Sequence, residues 1–388
     1  MKSPLTHDPA LSPIEAIATR QKIITSHPSD FPALFDCSAF PLAAVTTRNC
    51  ENMIGGVSLP VGAVGPAVFR YQAKTHECYV PLATTEGALV ASVNRGIKAM
   101  RIAENAEVIV EKKGISRAPV FICPSSAAAL TTKNWLDKQV PQFQAITAQT
   151  SKHLQFLSQQ VWVRGRHLYV RFVFDPDEAM GMNMATIAAN AISEYICAQN
   201  TGVKLVALSS NVCTDKKDST MNQLYGRGYW VQAECSLSAA TLSEVLKVNA
   251  TDLIQAHVQK NYVGSNVAGS LSQNAHVANI LAALYIATGQ DPAHVVDGSR
   301  AALTIEANDH TGVYAALTIP SVVVGTVGGG TYLPWQTQAR RIIGNGHEIT
   351  AEFLAAVVGV TALAGELSLM ASLAQHSLCA AHTKLGRK

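Results

Sequence analysis

The chain has 388 residues, 48% hydrophobic and only 15% charged, with 30 Lys and Arg against 27 Asp and Glu. A net charge of +3 spread evenly along the chain is too small for a protein that tracks a phosphate backbone. The composition also excludes disordered, coiled-coil and collagen-like chains, and so few charges imply extra surface hidden in subunit contacts.

The length allows two or three domains. The amino end has prolines and charges where an export signal needs an apolar block. The most apolar stretch, 353–381, is interrupted by Glu366 and His376, so no clean membrane span is expected. Eight cysteines lie far apart with no CxxC pair, which reads as reduced thiols and no metal site. These features predict a cytoplasmic protein without metal, membrane or nucleic-acid partner.

In chain order, a helix is expected at 13–26, broken by Pro28 and Pro32. The Gly/Pro-rich run 55–66 forbids a helix and predicts a folded-over loop. Thr84 and Thr85 offer a cap for a helix over 86–103. Strands at 107–111, 119–123 and 167–174 enclose a helical segment, 131–159, and are followed by a helix at 185–199 and a strand at 204–210. That alternation over about 90 residues fits a small α/β or ferredoxin-like module. Beyond it come a charged loop, a strand at 228–236, helices at 242–259 and 275–288, strands around Leu303 and at 322–327, and a long Ala/Leu helix at 352–381.

The GxGxxG dinucleotide fingerprint is absent, as are the P-loop, HExxH and GxSxG motifs. Four ionisable groups stand instead in small-residue or apolar settings: Glu86, Lys216, Asp291 and His382. A desolvated carboxylic acid, a lysine and a second carboxylate form a polarising and proton-supplying set. Taken singly, each also has an ordinary explanation: a first-turn glutamate, a solvated loop lysine, a turn aspartate and a helix-end histidine. Two glycine-bearing segments, Met180-Gly181-Met182-Asn183 and 324–331, offer backbone N–H groups to a phosphate, although tight turns would explain them as well.

Taken together, ten segments in order resemble the 3-hydroxy-3-methylglutaryl-coenzyme A (HMG-CoA) reductase family, in its class I form. They include Glu51-Asn52-Met53-Ile54-Gly55, Pro81-Leu82-Ala83-Thr84-Thr85-Glu86-Gly87, Ser92-Val93-Asn94-Arg95-Gly96, Met180-Gly181-Met182-Asn183-Met184, Cys213-Thr214-Asp215-Lys216-Lys217 and Gly226-Arg227-Gly228. Further on stand Asn274-Ala275-His276-Val277-Ala278-Asn279, Gly289-Gln290-Asp291, the 325–331 loop and Ala364-Gly365-Glu366-Leu367-Ser368-Leu369-Met370.

The resemblance implies an α+β fold with a large helix-rich CoA-binding domain and an inserted small ferredoxin-like α/β NADP-binding domain. The boundaries it implies are 1–50 for an N-terminal helical segment, 51–116 and 209–388 for the large domain and 117–208 for the insert. It implies a two-step reduction of HMG-CoA to mevalonate and free CoA by two NADPH, in active sites shared within a homodimer or homotetramer. Lys216 matches the lysine that steadies the oxyanion, Glu86 the acid at the aldehyde oxygen, Asp291 the carboxylate that tunes both, and His382 the proton donor to the thiolate.

Arg117, Ser209, Asp215, Lys217, Lys260 and Asn279 match substrate-side positions. Ser92, Asn94, Arg95, Lys98, Lys247 and His276 match CoA-side positions. Ser151 and Lys152 fall at the NADP 2′-phosphate, with Met180, Gly181, Met182, Asn183, Gly328, Gly329 and Gly330 along the rest of the dinucleotide.

Several positions depart from the family pattern: Glu178 for aspartate, Lys152 for arginine, His153 at an aromatic-like position, and Ala380-Ala381 for Lys-Ser. The family's phosphorylatable serine after the histidine and its amino-terminal anchor have no match. The competing readings are mevalonate oxidation by NAD+, a non-catalytic CoA-binding protein, and an acyl transferase or lyase using Cys213.

Overall fold

The computed structural model describes residues 11–308 and 311–375. Its sheet contains ten strands: β1 (Val61–Tyr71), β2 (Lys74–Ala83), β3 (Glu107–Arg117), β4 (Val120–Ile122), β5 (Gln155–Arg164), β6 (His167–Asp175), β7 (Lys204–Ala207), β8 (Gly228–Leu237), β9 (Ala302–Ala307) and β10 (Val313–Val322). The strand order is β7-β4-β6-β3-β8-β10-β9, with β1 joined to β2 and β3, and β5 joined to β6. Every strand pairing is antiparallel except one β1–β3 contact, Arg70 against Glu107. This is a mixed α/β fold on an antiparallel sheet.

Strand β3 belongs to both halves of that sheet. Residues 107–114 pair with β8, whereas 115–117 pair with β6. Two apolar cores form on either side of that changeover. The larger packs the inner faces of β1, β2, β8, β9 and β10 against three helices: α1 (Leu89–Ala103), α3 (Val277–Thr288) and α4 (Ala351–Ala374). The smaller gathers the end of β3 with β4, β5 and β6, two short helices (Ser126–Leu136 and Val140–Thr150) and α2 (Met182–Gln199). Phe143, Phe156, Phe172 and Phe174 meet there edge to face, the arrangement favoured by the ring quadrupole.

Helix α4 is long and apolar enough to cross a membrane by length and composition, but 89% of its most apolar window is buried inside the protein. It is the central core helix, apolar all round because it is enclosed all round. It crosses α1 at Gly96, where an added Cβ would lie 1.8 Å from the Ala364 carbonyl oxygen. Only glycine allows the two backbones to approach so closely.

The structure departs from the sequence-based elements in five places. The 55–66 run becomes strand from Val61 onward, with a register shift between Val64 and Ala67. The turn that pairs it with β2 is Gln72-Ala73, both in the left-handed region, where neither residue carries the usual Asn or Gly signal. The expected 131–159 helix is two short helices followed by β5, which a tight turn through Gly165 folds onto β6. Lys247 adopts φ +61 and interrupts the expected 242–259 helix. The strand expected at 322–327 lies at 313–322, between β8 and β9, and burial on both faces removed the alternation that would have marked it.

Gly96→Ala should destabilise the protein by about 3 kcal/mol or more, because the added methyl meets backbone and not a flexible side chain. Denaturant unfolding of purified wild type and variant measures the difference; equal midpoints would show that the α1–α4 crossing can yield.

Candidate active site

Two groups of sequence-predicted residues gather at opposite ends of α3. At its N-terminal end, Glu86 lies before α1 and not in its first turn, since that helix starts at Leu89 after Ala88 at φ +72. Thr84 Oγ1 accepts the Glu86 backbone N–H, and Glu86 Oε1 accepts a hydrogen bond from Asn279 Nδ2 at 3.2 Å.

The start of α3 is held by a residue the sequence marked only as an interruption. Glu366, fully buried in α4, accepts the backbone N–H groups of Ala275 and His276, both at 2.7 Å. A carboxylate there satisfies orphan amides and opposes the positive end of the helix dipole. Burial pushes its carboxyl above the ordinary glutamate range, while His276, the two N–H groups and Lys260 pull the other way. Of the CoA-side residues, Ser92 and Arg95 both bond Ser368 Oγ, Asn94 Oδ1 accepts the Gly65 N–H, and Lys98 and Lys247 are exposed. His276 Nε2 is buried without a hydrogen-bond partner.

At the other end of α3 lies Asp291, with its two oxygens divided between tasks. Oδ1 accepts the Ala293 N–H and closes the turn, and Oδ2 meets Lys216 Nζ at 2.7 Å. Burial works against the charge on Asp291, but Lys216, the Ala293 amide and His294 outweigh it and hold the carboxyl below the usual range. Lys216 rides on a loop in which Asn211, Thr214 and Lys216 itself all have positive φ, each an excursion of about 1–2 kcal/mol. That loop is tied down from below. Thr214 Oγ1 donates to Asn222 Oδ1, and Arg227, fully buried, donates to Asp215 Oδ1 at 2.8 Å. Lys217 Nζ reaches the Asp215 carbonyl, Ser209 Oγ lies 3.3 Å from Cys213 Sγ, and Arg117 bonds Thr186 Oγ1.

The two glycine-bearing segments do come together. Thr326 N–H donates to the Glu178 carbonyl at 2.8 Å, and Ala179 and Val327 form a parallel bridge. Glu178 Oε2 accepts from both Thr326 Oγ1 and the Ala351 N–H, so this side chain also anchors the start of α4. Gly181 precedes α2 with no side-chain cap, leaving that 18-residue helix an open N-terminus. Ser151 Oγ contacts Met184 Sδ on its first turn, with Lys152 exposed beside it. Met182 Sδ is capped by Arg227, Asn183 is exposed, and Gly328 and Gly329 have positive φ with open space around them. The exposed Lys260 bears on this set only through its charge toward Glu366. His382 lies outside the described residues.

The structure thus holds a paired ammonium and carboxylate at one end of α3, a glutamate at the other end, and two adjoining glycine loops. Residues 16–387 match the family profile of hydroxymethylglutaryl-coenzyme A reductase. The chain belongs to that family. It is 42% identical to the 3-hydroxy-3-methylglutaryl-coenzyme A reductase of Halobacterium salinarum, over 90% of this chain and 87% of that protein. The reductase of Methanocaldococcus jannaschii is 40% identical, over 88% of this chain and 85% of its own length. These relatives show an oxidoreductase with HMG-CoA reductase activity, the step that gives the mevalonate pathway its name. A solved structure of the class II reductase from Streptococcus pneumoniae bound to NADPH superposes with a TM-score of 0.70 at 19% identity, covering 94% of this chain and 97% of that one. That likeness shows the fold alone, and the class I form expected from the motifs gains no support from it.

Sequence reasoning did not single out Glu366, His294 and Asp297 among the residues that hold these two groups in place. The signal was present in each case as a charge inside an apolar or small-residue run, the pattern that buried paired groups leave. Glu366→Gln should destabilise the reductase by about 1–3 kcal/mol, because one acceptor oxygen becomes an NH2 facing a backbone N–H. Denaturant unfolding measures this, and an unchanged midpoint would remove Glu366 as the anchor of α3.

Proposed function

We propose that the chain reduces HMG-CoA to mevalonate with two NADPH per turnover, releasing CoA. The observation that carries this is the Lys216–Asp291 ion pair at 2.7 Å, carried on a loop that Arg227 fixes from beneath. A preorganised ammonium acts where negative charge develops, on the oxygen of the thioester carbonyl and later of the aldehyde. Asp291 holds that lysine aimed. Glu86 supplies the proton that the new alcohol needs, and His382 protonates the departing thiolate before it re-adds. Arg117, Ser209, Asp215, Lys217, Lys260 and Asn279 bind the 3-hydroxy-3-methylglutaryl moiety. Ser92, Asn94, Arg95, Lys98, Lys247 and His276 face CoA.

NADPH supplies the hydride. The open start of α2 and the left-handed Gly328-Gly329 backbone fit its phosphates, and Ser151 with Lys152 fits the 2′-phosphate. Met180, Gly181, Met182, Asn183 and Gly330 complete that wall. Residues 117–208 would be the inserted ferredoxin-like NADP domain, and the separate apolar core of this segment supports that division. The same reading makes the enzyme cytoplasmic.

We further propose that the active site is shared between two copies of the chain in a homodimer, with a tetramer as its doubled form. Within one chain Glu86 sits at Asn279, and Asp291 follows Thr288 at the far end of α3. Asn279 and Thr288 are about 14 Å apart along the helix axis. Helical side chains lean toward the N-terminus, so Asn279 and the Glu86 bonded to it are drawn away from Lys216. A second copy, presenting its Glu86 end to the Lys216 end of the first, closes that gap.

Consumption of purified HMG-CoA should oxidise two NADPH for each CoA thiol released; one NADPH per thiol, with aldehyde accumulating, would defeat the two-step reading. Glu86→Gln and Lys216→Ala chains should each be nearly inactive alone, yet regain activity when co-expressed, since one of the two mixed sites is then intact. Failure of every co-expressed pair to recover activity would place the whole site in one chain.

A further inference from the structure

Two buried side chains that the reaction described above does not use join the glycine loop 325–331 to the end of α3. Gln290, which precedes Asp291 in the chain, is 7% exposed, and both ends of its amide are bonded. Oε1 accepts the Gly325 N–H at 2.8 Å, and Nε2 donates to the Thr288 carbonyl at 3.1 Å. Arg340, on the helix Pro334–Ile343, is 4% exposed. Its Nη1 donates to the Thr331 carbonyl at 2.7 Å and to the same Thr288 carbonyl at 3.1 Å.

The two links hold opposite ends of one loop. Gln290 takes its first residue, Gly325, and Arg340 takes its last, Thr331. Gly289 and Gly330 meet backbone to backbone alongside them: a Cβ on Gly289 would lie 2.6 Å from the Gly330 carbonyl oxygen. Gly289 also stands at φ +78, so no other residue fits there without strain. The middle of the loop, Gly328 and Gly329, has open space around it. A loop pinned at its ends and open in its middle is shaped before a ligand arrives, which lowers the ordering cost of binding.

Arg340 is not there to neutralise a charge. Among the described residues it bonds only carbonyls: Thr288, Thr331 and, at 3.4 Å, Gln336. Burial works against its charge, and a guanidinium enclosed without a counter-ion is costly to keep. What it gains is the Thr288 carbonyl, among the last of α3, where the helix leaves acceptors unpaired and its dipole favours a cation. Asp291 leaves this same turn and meets Lys216 at 2.7 Å.

We propose that Gln290 and Arg340 are positioning residues that hold the glycine loop in fixed register with the Lys216–Asp291 pair. The proposal rests on the reductase reading and deepens it: the wall that seats the hydride donor and the cation that meets the developing oxyanion share one rigid frame. Neither side chain needs to touch substrate or NADPH for this. A shift of about 1 Å between donor and acceptor is enough to lower a rate by about a hundredfold.

The test compares wild type, Gln290→Met and Gln290→Glu, with thermal melts as the check on folding. Gln290→Met keeps length and bulk but loses both hydrogen bonds. Its kcat should fall by about tenfold or more, while KM for HMG-CoA stays nearly unchanged. Its Kd for NADPH, read by fluorescence titration, should rise by about fivefold or more as the loop loses its preset shape. Gln290→Glu restores an acceptor for the Gly325 N–H and, when protonated, a donor for Thr288, so it should recover most of both losses.

A folded Gln290→Met with wild-type kcat and Kd overturns the proposal, and so does an equal loss in the Met and Glu variants. If Gln290→Met does not fold, Arg340→Gln takes its place, and unmoved kcat and Kd there overturn the proposal just as well. Wild type that fails to reduce HMG-CoA would instead sink the reductase reading. The clamp is then read without activity, from amide hydrogen exchange over residues 324–331. Faster exchange in Gln290→Met or Arg340→Gln than in wild type supports it, and equal exchange overturns it.

Discussion

A guanidinium cannot remain at zero exposure unless carboxylates or other acceptors are brought to it, and Arg227 imposes that demand on the centre of this molecule. Its partners come from three separate stretches of chain: Asp215 on the lysine loop, Met182 at the start of α2, and His294 and Asp297 after α3, while Arg227 itself leads into β8. Each was placed near the arginine by the need to neutralise or bond it. The lysine loop has no regular structure of its own and carries three residues at positive φ, so it keeps its shape only because Asp215 and Thr214 are tied down. Removing one member would leave the others buried and uncompensated, which is far more damaging than never having built the cluster.

Helix α3 sets the second constraint, because it is rigid and its two ends do different work. Glu366 fixes one end by receiving two amides that would otherwise be orphaned in an apolar interior. Asp291 closes the other by capping a turn with one oxygen and holding Lys216 with the second. Glu86, bonded to Asn279, and Lys216, paired with Asp291, are therefore held at opposite ends of a helix that cannot shorten.

Much of this was legible in the sequence, for a physical reason that differs from element to element. Helices with open or capped ends and apolar faces, such as α2 and α3, were readable because their periodicity survives burial. The β1–β2 hairpin was not, since its turn residues, Gln72 and Ala73, adopt left-handed geometry without the residues that normally announce it. Strand β10 lost its alternation by being buried on both faces. The residues of the two groups at the ends of α3 stood in an ordered set of motifs, whereas the contacts between them were not legible. Nothing in the spacing of Asp291 and His294 tells an exposed turn from the edge of a buried charged cluster until Asp297 and Arg227 are seen beside them.

Glu178 shows how a single methylene can matter in such a framework. Its backbone carbonyl receives the Thr326 N–H, which fixes one glycine loop to the other. Its carboxylate then extends to the Ala351 N–H at 2.6 Å and to Thr326 Oγ1 at 3.0 Å, satisfying a donor at the N-terminus of α4. An aspartate on the same backbone would carry its oxygens one bond nearer the main chain and would have to draw the helix end inward to make the same bond. The longer side chain therefore lets the glycine loops and the core helix keep their spacing while sharing one charge. The same carboxylate opposes the positive end of the α4 dipole, so the link between the glycine loops and the core is electrostatic as well as geometric.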